Sequence, residues 1–202
     1  MPNFTREGYG QVEPNQLSAQ KTGQIYASLP LHKDVKVLQN GEFMFYDYAT
    51  GTVNANATVG EPMLVFNEIK LYEPFWQTSY KDFAMIRVGD NYVTSRPATG
   101  AYGDGSENTG ATINPAHTEY GYRMDGIAPR LLKTNVGDIY TTNMVKTGVE
   151  YSVGDLLAPV KDATSNTMVL ETAAGTTGML WQVAKVYTMP DGQPGLKIQR
   201  VQ

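Results

Sequence analysis

The chain reads as an all-β protein, a short-stranded β-barrel or sandwich, and three observations carry that reading. From residue 25 onward the apolar residues fall into short runs between turn residues, and no helical period persists. Gly 20 and Pro 11 make 31 of the 202 residues, a share that works against long helices. The dipeptides Asn40-Gly41 and Asp191-Gly192 are strong turn signals, because Gly supplies the positive φ that tight turns often need.

Residues 1–24 read as an extended N-terminal arm. Phe4, Tyr9, Val12 and Leu17 are spaced 5, 3 and 5 apart, which fits neither a helix nor a strand. Their scattered apolar side chains are the expected partner contacts, together with Tyr102 further on. One short helix fits within the arm, from Asn15 as N-cap to about Lys21, with Gly23 ending it.

Residues 25–202 read as one β-rich domain, with an internal boundary near 134 as the alternative. Ile25 to Leu31, Val35 to Leu38 and Glu42 to Tyr48 are expected strands. Val65, Ile69 and Leu71 share a face of the next, which Asn67 interrupts. Pro74 to Phe83 is the one further stretch suited to a short helix. Ala84 to Val88 and Asn91 to Ser95 return to strand. Residues 97–120 read as an exposed Gly-rich insertion, because Pro97 to Pro115 has Ile113 as its only branched aliphatic and Tyr102 as its only aromatic. Strands then resume at Arg130 to Thr134, Ile139 to Asn143, Leu156 to Val160, Met168 to Thr172, Met179 to Tyr187 and Leu196 to Val201.

One pattern recurs: Val59-Gly60-Glu61, Val88-Gly89-Asp90, Val136-Gly137-Asp138 and Val153-Gly154-Asp155. The glycines lie 29, 48 and 17 residues apart, so there is no fixed period and no solenoid. The expected role is a Gly turn followed by a carboxylate that accepts backbone N–H groups.

Catalytic chemistry is hard to build from this chain. It has no Cys, which removes disulfides, thiolate metal sites and Cys nucleophiles. Its two histidines, His32 and His117, lie 85 residues apart, and neither belongs to a metal or nucleophile motif. Gly8-Tyr9-Gly10 and Gly103-Asp104-Gly105 lack the strand-then-helix setting and the lysine of a phosphate loop. Asp104, Glu107 and Asn108 lack EF-hand spacing. The chain is therefore expected to be no enzyme, with no catalytic set, cofactor or metal. Scattered Asp and Glu leave a β-scaffold hydrolase as the last-ranked option.

The net charge of −4 and the lack of a basic run argue against direct nucleic-acid binding. The longest apolar runs have four residues, such as Phe43-Met44-Phe45-Tyr46, where a membrane helix needs about 20. Met1 to Gln24 has neither an apolar signal core nor a transit-peptide pattern, so a soluble protein is expected. Aromatics are abundant: 13 Tyr, 6 Phe and 2 Trp, crowded at Tyr46, Tyr48, Tyr72, Phe75, Trp76 and Tyr80. Sheet packing is their first expectation. A carbohydrate-binding β-sandwich using surface Tyr and Trp is the alternative.

From Val136 to Val201 the chain runs V-G-D-I-Y-T-T-N, then G-V-E-Y-S-V-G-D-L-L-A-P-V, the Trp181-Gln182-Val183 strand, and the closing P-D-G-Q-P-G-L-K-I-Q-R-V. In this order of features the stretch resembles the structural head proteins of tailed bacteriophages. The paired turns before short strands are similar to the small β-barrels of capsid decoration and cement proteins. The resemblance implies a virion structural protein that binds and stabilises a capsid shell. Its implied partners are the major capsid protein or neighbouring shell subunits, in a homo-oligomer or multicopy assembly without membrane. It implies a place in the virion capsid, after a soluble stage in the host cytoplasm.

Overall fold

Alternation of apolar and polar residues builds the sheet most plainly at the C-terminus, where Leu196 and Ile198 are fully buried and Lys197 and Gln199 between them are not. The computed structural model describes residues 4–6, 10–35, 37–56, 60–67, 84–86, 122–123, 128–162, 166–190 and 192–202. Its strands are β1 (Val12–Gln16), β2 (Ile25–Tyr26), β3 (Val37–Gln39), β4 (Phe43–Asp47), β5 (Thr52–Asn54), β6 (Met63–Val65) and β7 (Ala84–Ile86). They continue as β8 (Tyr122–Arg123), β9 (Leu131–Leu132), β10 (Ile139–Thr142), β11 (Leu156–Asp162), β12 (Thr167–Thr172), β13 (Trp181–Thr188) and β14 (Pro194–Arg200). The helix α1 (Ser18–Thr22) is a single turn and a half.

Ten strands follow one another in the order β1-β10-β14-β13-β11-β12-β4-β6-β9-β2, with β5 paired to β4. This antiparallel sheet curls into a half-barrel, the all-β architecture expected from the pattern. A small second sheet has the order β3-β7-β8, with β7 and β8 parallel. The concave core centres on Trp181, whose ring meets Tyr140 at 5.0 Å and Phe43 at 6.0 Å. All three are fully buried.

One strand boundary differs from expectation for an identifiable reason. Strand β6 ends at Val65, because Asn67 is buried and pairs reciprocally with Asn40: Asn67 N donates to Asn40 Oδ1 at 2.7 Å and Asn40 Nδ2 to Asn67 O at 3.1 Å; Ile69 and Leu71 lie outside the described residues. Beside Asn40, Gly41 is obligatory. Its φ is +92°, and a Cβ there would stand 2.7 Å from the Met144 Cβ. Asn91 to Ser95, Pro74 to Phe83, the insertion 97–120, Trp76 and His117 lie outside the described residues.

The arm requires correction. Residues 12–16 form edge strand β1, in register with β10 from Val12↔Thr142 onward. Phe4 and Leu17 are 5% and 2% exposed in the chain's own core, and Val12 packs against it. Phe4 also locks its backbone to the domain, with N donating to Val149 O and O accepting from Gly148 N, both at 2.9 Å. The irregular spacing therefore reflects three different settings in quick succession: irregular backbone at Phe4, strand β1 at Val12 and the N-cap of α1 at Leu17. Tyr9 lies outside the described residues.

The helix also starts two residues later than expected, with Leu17 and not Asn15 at the N-cap position. Asn15 belongs to β1, where its Oδ1 accepts from Thr141 Oγ1 at 2.9 Å. The helix is capped from a distance: the Asp138 carboxylate accepts from Ser18 N and Ser18 Oγ, each at 2.9 Å. Gly23 ends it as expected, in the left-handed region at φ +68°.

Candidate functional site: a tyrosine-lined groove

Tyr46 lies near the end of β4, and Tyr48 follows in the turn just beyond the strand. Tyr26 arrives from β2, three places away in the sheet order. The curl of the sheet brings the rings together: Tyr26 and Tyr46 are 5.4 Å apart at 56°, and Tyr46 and Tyr48 are 5.4 Å apart at 69°. They form one side of a groove of about 820 Å³, whose remaining wall includes Asn56, Glu61, Pro62, Met63 and Lys133. That volume lies within the usual range for ligand clefts.

Four polar side chains of the groove, Tyr46, Asp47, Asn56 and Glu61, are held by hydrogen bonds or an ion pair. The Tyr46 hydroxyl accepts from Ser28 N and Leu29 N, both at 2.8 Å, and shares a 2.6 Å bond with Ser28 Oγ. Glu61 Oε1 accepts from Arg200 Nη2 at 2.8 Å; the arginine side chain is 5% exposed and the glutamate 57%. The same guanidinium donates to Thr134 O, to Thr134 Oγ1 and to Gln202 O, so β14 braces the groove from below. Asn56 Oδ1 accepts from Lys161 Nζ. Hydrogen bonds from Thr50 and Asn54 hold the Asp47 carboxyl below its ordinary value, so it is ionised. Tyr48 has the opposite character, with 75% of its surface open to solvent.

Two of the recurrent turns prove to be copies of one device. In Asn135–Asp138 and Ser152–Asp155 the first carbonyl accepts from the fourth N–H, at 3.0 and 3.2 Å. The glycines stand at φ +96° and +97°, as the third position of a type II turn requires. Each aspartate bends back: Asp138 Oδ2 accepts from Asn135 N at 2.9 Å and Asp155 Oδ2 from Ser152 N at 2.7 Å. Each turn then hooks onto a strand by a two-way backbone pair. Gly137 N donates to Arg200 O and Arg200 N to Asp138 O; Gly154 N donates to Val183 O and Val183 N to Asp155 O. Val136 and Val153 occupy the apices, each 67% exposed.

One buried carboxylate lies elsewhere. Glu42 is 2% exposed, accepting from Gln39 N at 2.9 Å and from Thr167 Oγ1 at 3.0 Å. Burial pushes its carboxyl up to about 7, against the pull of these two bonds and of Arg6. His32 sits in a turn beside Asp34, with Nδ1 3.5 Å from the aspartate Oδ2. Among the described residues no three His, Asp or Glu gather as a metal site.

The expected contact residues do not meet at the groove. Phe4, Val12 and Leu17 face the chain's own core, and Tyr9 and Tyr102 lie outside the described residues. Tyr46 and Tyr48 were legible as part of the aromatic crowd. Tyr26, Glu61 and Lys133 were not, since only the strand order unites them. No family model, curated protein or solved structure matches the chain.

Proposed function

We propose that this chain is a non-enzymatic structural protein of a phage virion, binding a capsid shell as a decoration, cement or minor head protein. The sequence resemblance over Val136 to Val201 supports it, and one observation carries it into three dimensions. That stretch forms five adjacent strands, β10-β14-β13-β11-β12, as a continuous block of the sheet. From this block two identically built turns raise exposed valines. Exposed apolar apices on rigid hooks suit attachment to another protein, because they bury area without ordering a flexible segment. The attachment surface is thus this block and not the N-terminal residues, which the chain uses for itself.

The test is density-gradient purification of particles of the phage that encodes the chain. Peptides of this protein should band with the shell protein at a fixed ratio, and a chain carrying Val136→Asp and Val153→Asp should stay in the soluble fractions with an unchanged melting temperature. Absence of the unaltered chain from the particle band removes the reading.

A further inference from the structure

The tyrosine groove lies outside the block that carries the shell reading, and its chemistry points to a ligand of its own. We propose that it binds a neutral oligosaccharide. A pyranose ring has an apolar C–H face and a rim of hydroxyls, so its binding site needs flat apolar surface beside hydrogen-bonding groups that are already oriented. Tyr26, Tyr46 and Tyr48 supply a stepped aromatic surface, and Tyr48 offers its ring to solvent. Glu61 and Asn56 supply the rim. Arg200 anchors one carboxylate oxygen of Glu61, and Lys161 anchors the carbonyl of Asn56. A carboxylate accepts only, and a saccharide hydroxyl donates to it readily. Because Tyr46 and Glu61 are fixed before any ligand arrives, little ordering remains to be offset on binding.

The same geometry disfavours the other occupants. Arg200 is paired with Glu61 and Lys161 with Asn56, which leaves Lys133 opposite the ionised Asp47, so the groove presents no cluster of uncommitted cations to hold a phosphate chain. A quaternary ammonium needs rings standing around a hole of its own size. Here neighbouring rings pack against one another at 5.4 Å, one pair tilted and one edge to face, and fill that space themselves. A wholly apolar segment would strip water from Glu61 and return no hydrogen bond.

The experiment is titration calorimetry of the full chain with neutral hexasaccharides of glucose, of mannose and of N-acetylglucosamine. Choline chloride and a single-stranded oligonucleotide are run alongside. At least one hexasaccharide should bind saturably at one site, and the two other probes should not. Tyr48→Ala should weaken that binding by about tenfold or more with the melting temperature unchanged, while Tyr48→Phe retains it. The proposal is overturned if no hexasaccharide saturates, if choline or the oligonucleotide binds at the Tyr48 site instead, or if Tyr48→Ala binds as well as the unaltered chain. Loss of binding in Tyr48→Phe equally overturns it, since the ring is then not the recognition element.

Discussion

Tyr140 stands edge-on to Trp181, with ring centroids 5.0 Å apart and planes at 84°, and neither ring is exposed. Tyr140 Oη and Trp181 Nε1 find no hydrogen-bond partner among the described residues. Burial raises the Tyr140 hydroxyl well above its ordinary value, so it stays neutral at any working pH. Edge-to-face contact and buried area therefore supply the stabilisation, and the polar atoms oppose it. Tyr140→Phe should leave stability unchanged or raise it by up to about 1 kcal/mol, whereas Trp181→Ala should cost about 3–5 kcal/mol. Urea unfolding of both variants decides it. A loss above about 1 kcal/mol in Tyr140→Phe would mean that the hydroxyl has a partner after all.

The two hooked turns share a backbone but not a weight. Asp138 is 4% exposed and accepts from Asn135 N, Ser18 N and Ser18 Oγ, so it closes its own turn and caps α1. Asp155 is more exposed and accepts from Ser152 N, closing its own turn. Asp138→Ala should cost about 3 kcal/mol and Asp155→Ala about 1 kcal/mol. Thermal melts of the two variants should separate clearly. Equal losses would show that the cap on α1 contributes nothing.

Stability should fall as pH rises through the neutral range. Glu42 has a folded value of about 7 against an ordinary 4.5, so the native state keeps a proton that the unfolded chain releases between these values. The contribution is fully present below about 4.5, declines as pH climbs, and is gone above about 7, a span of roughly 3 kcal/mol. Arg6 favours the ionised form and Asp162 opposes it. Glu42→Gln keeps an acceptor for Gln39 N and presents its amide to Thr167, so it mimics the protonated acid. The variant should melt higher than the unaltered chain at pH 8 and close to it at pH 5. A difference that is the same at both pH values would remove Glu42 as the cause.

Removing the first residues should damage the domain itself. A chain starting at Gln24 loses Phe4, Leu17 and Ala19 from the core and exposes the β10 edge. Leu17→Ala alone should cost about 2–5 kcal/mol. The truncated chain should melt far below the full one, or fail to fold. An unchanged melting temperature would restore the free-arm reading.

Legibility in the sequence followed the range of the interactions. Strands β10 to β14 were readable because alternation and a Gly turn both lie within a few residues, as with Gly192 between β13 and β14. The Val-Gly-Asp turns were readable as turns, with their aspartates as acceptors. Their strand partners, Arg200 and Val183, were not, since nothing local encodes them. Asn15 looked like a helix cap because it has the right side chain before the right run. Asp138, 120 residues from Ser18, takes that role instead. The groove failed in the same way: Tyr46 and Tyr48 are local, but Tyr26 joins them only through the order β4-β6-β9-β2.

That order also imposes a timetable on synthesis. Among the described residues strand β1 pairs with β10 alone, so it waits for a partner made about 130 residues later, from Val12 to Thr142. At ordinary elongation rates Val12 leaves the ribosome roughly six to twenty-six seconds before Thr142. Through that interval Leu17 and the β1 backbone have no docking surface. At high local concentration, a second nascent chain whose β10 is already formed offers them the same surface as their own. Slow translation between β1 and β10 would therefore favour chains that exchange their first strands over chains that fold alone.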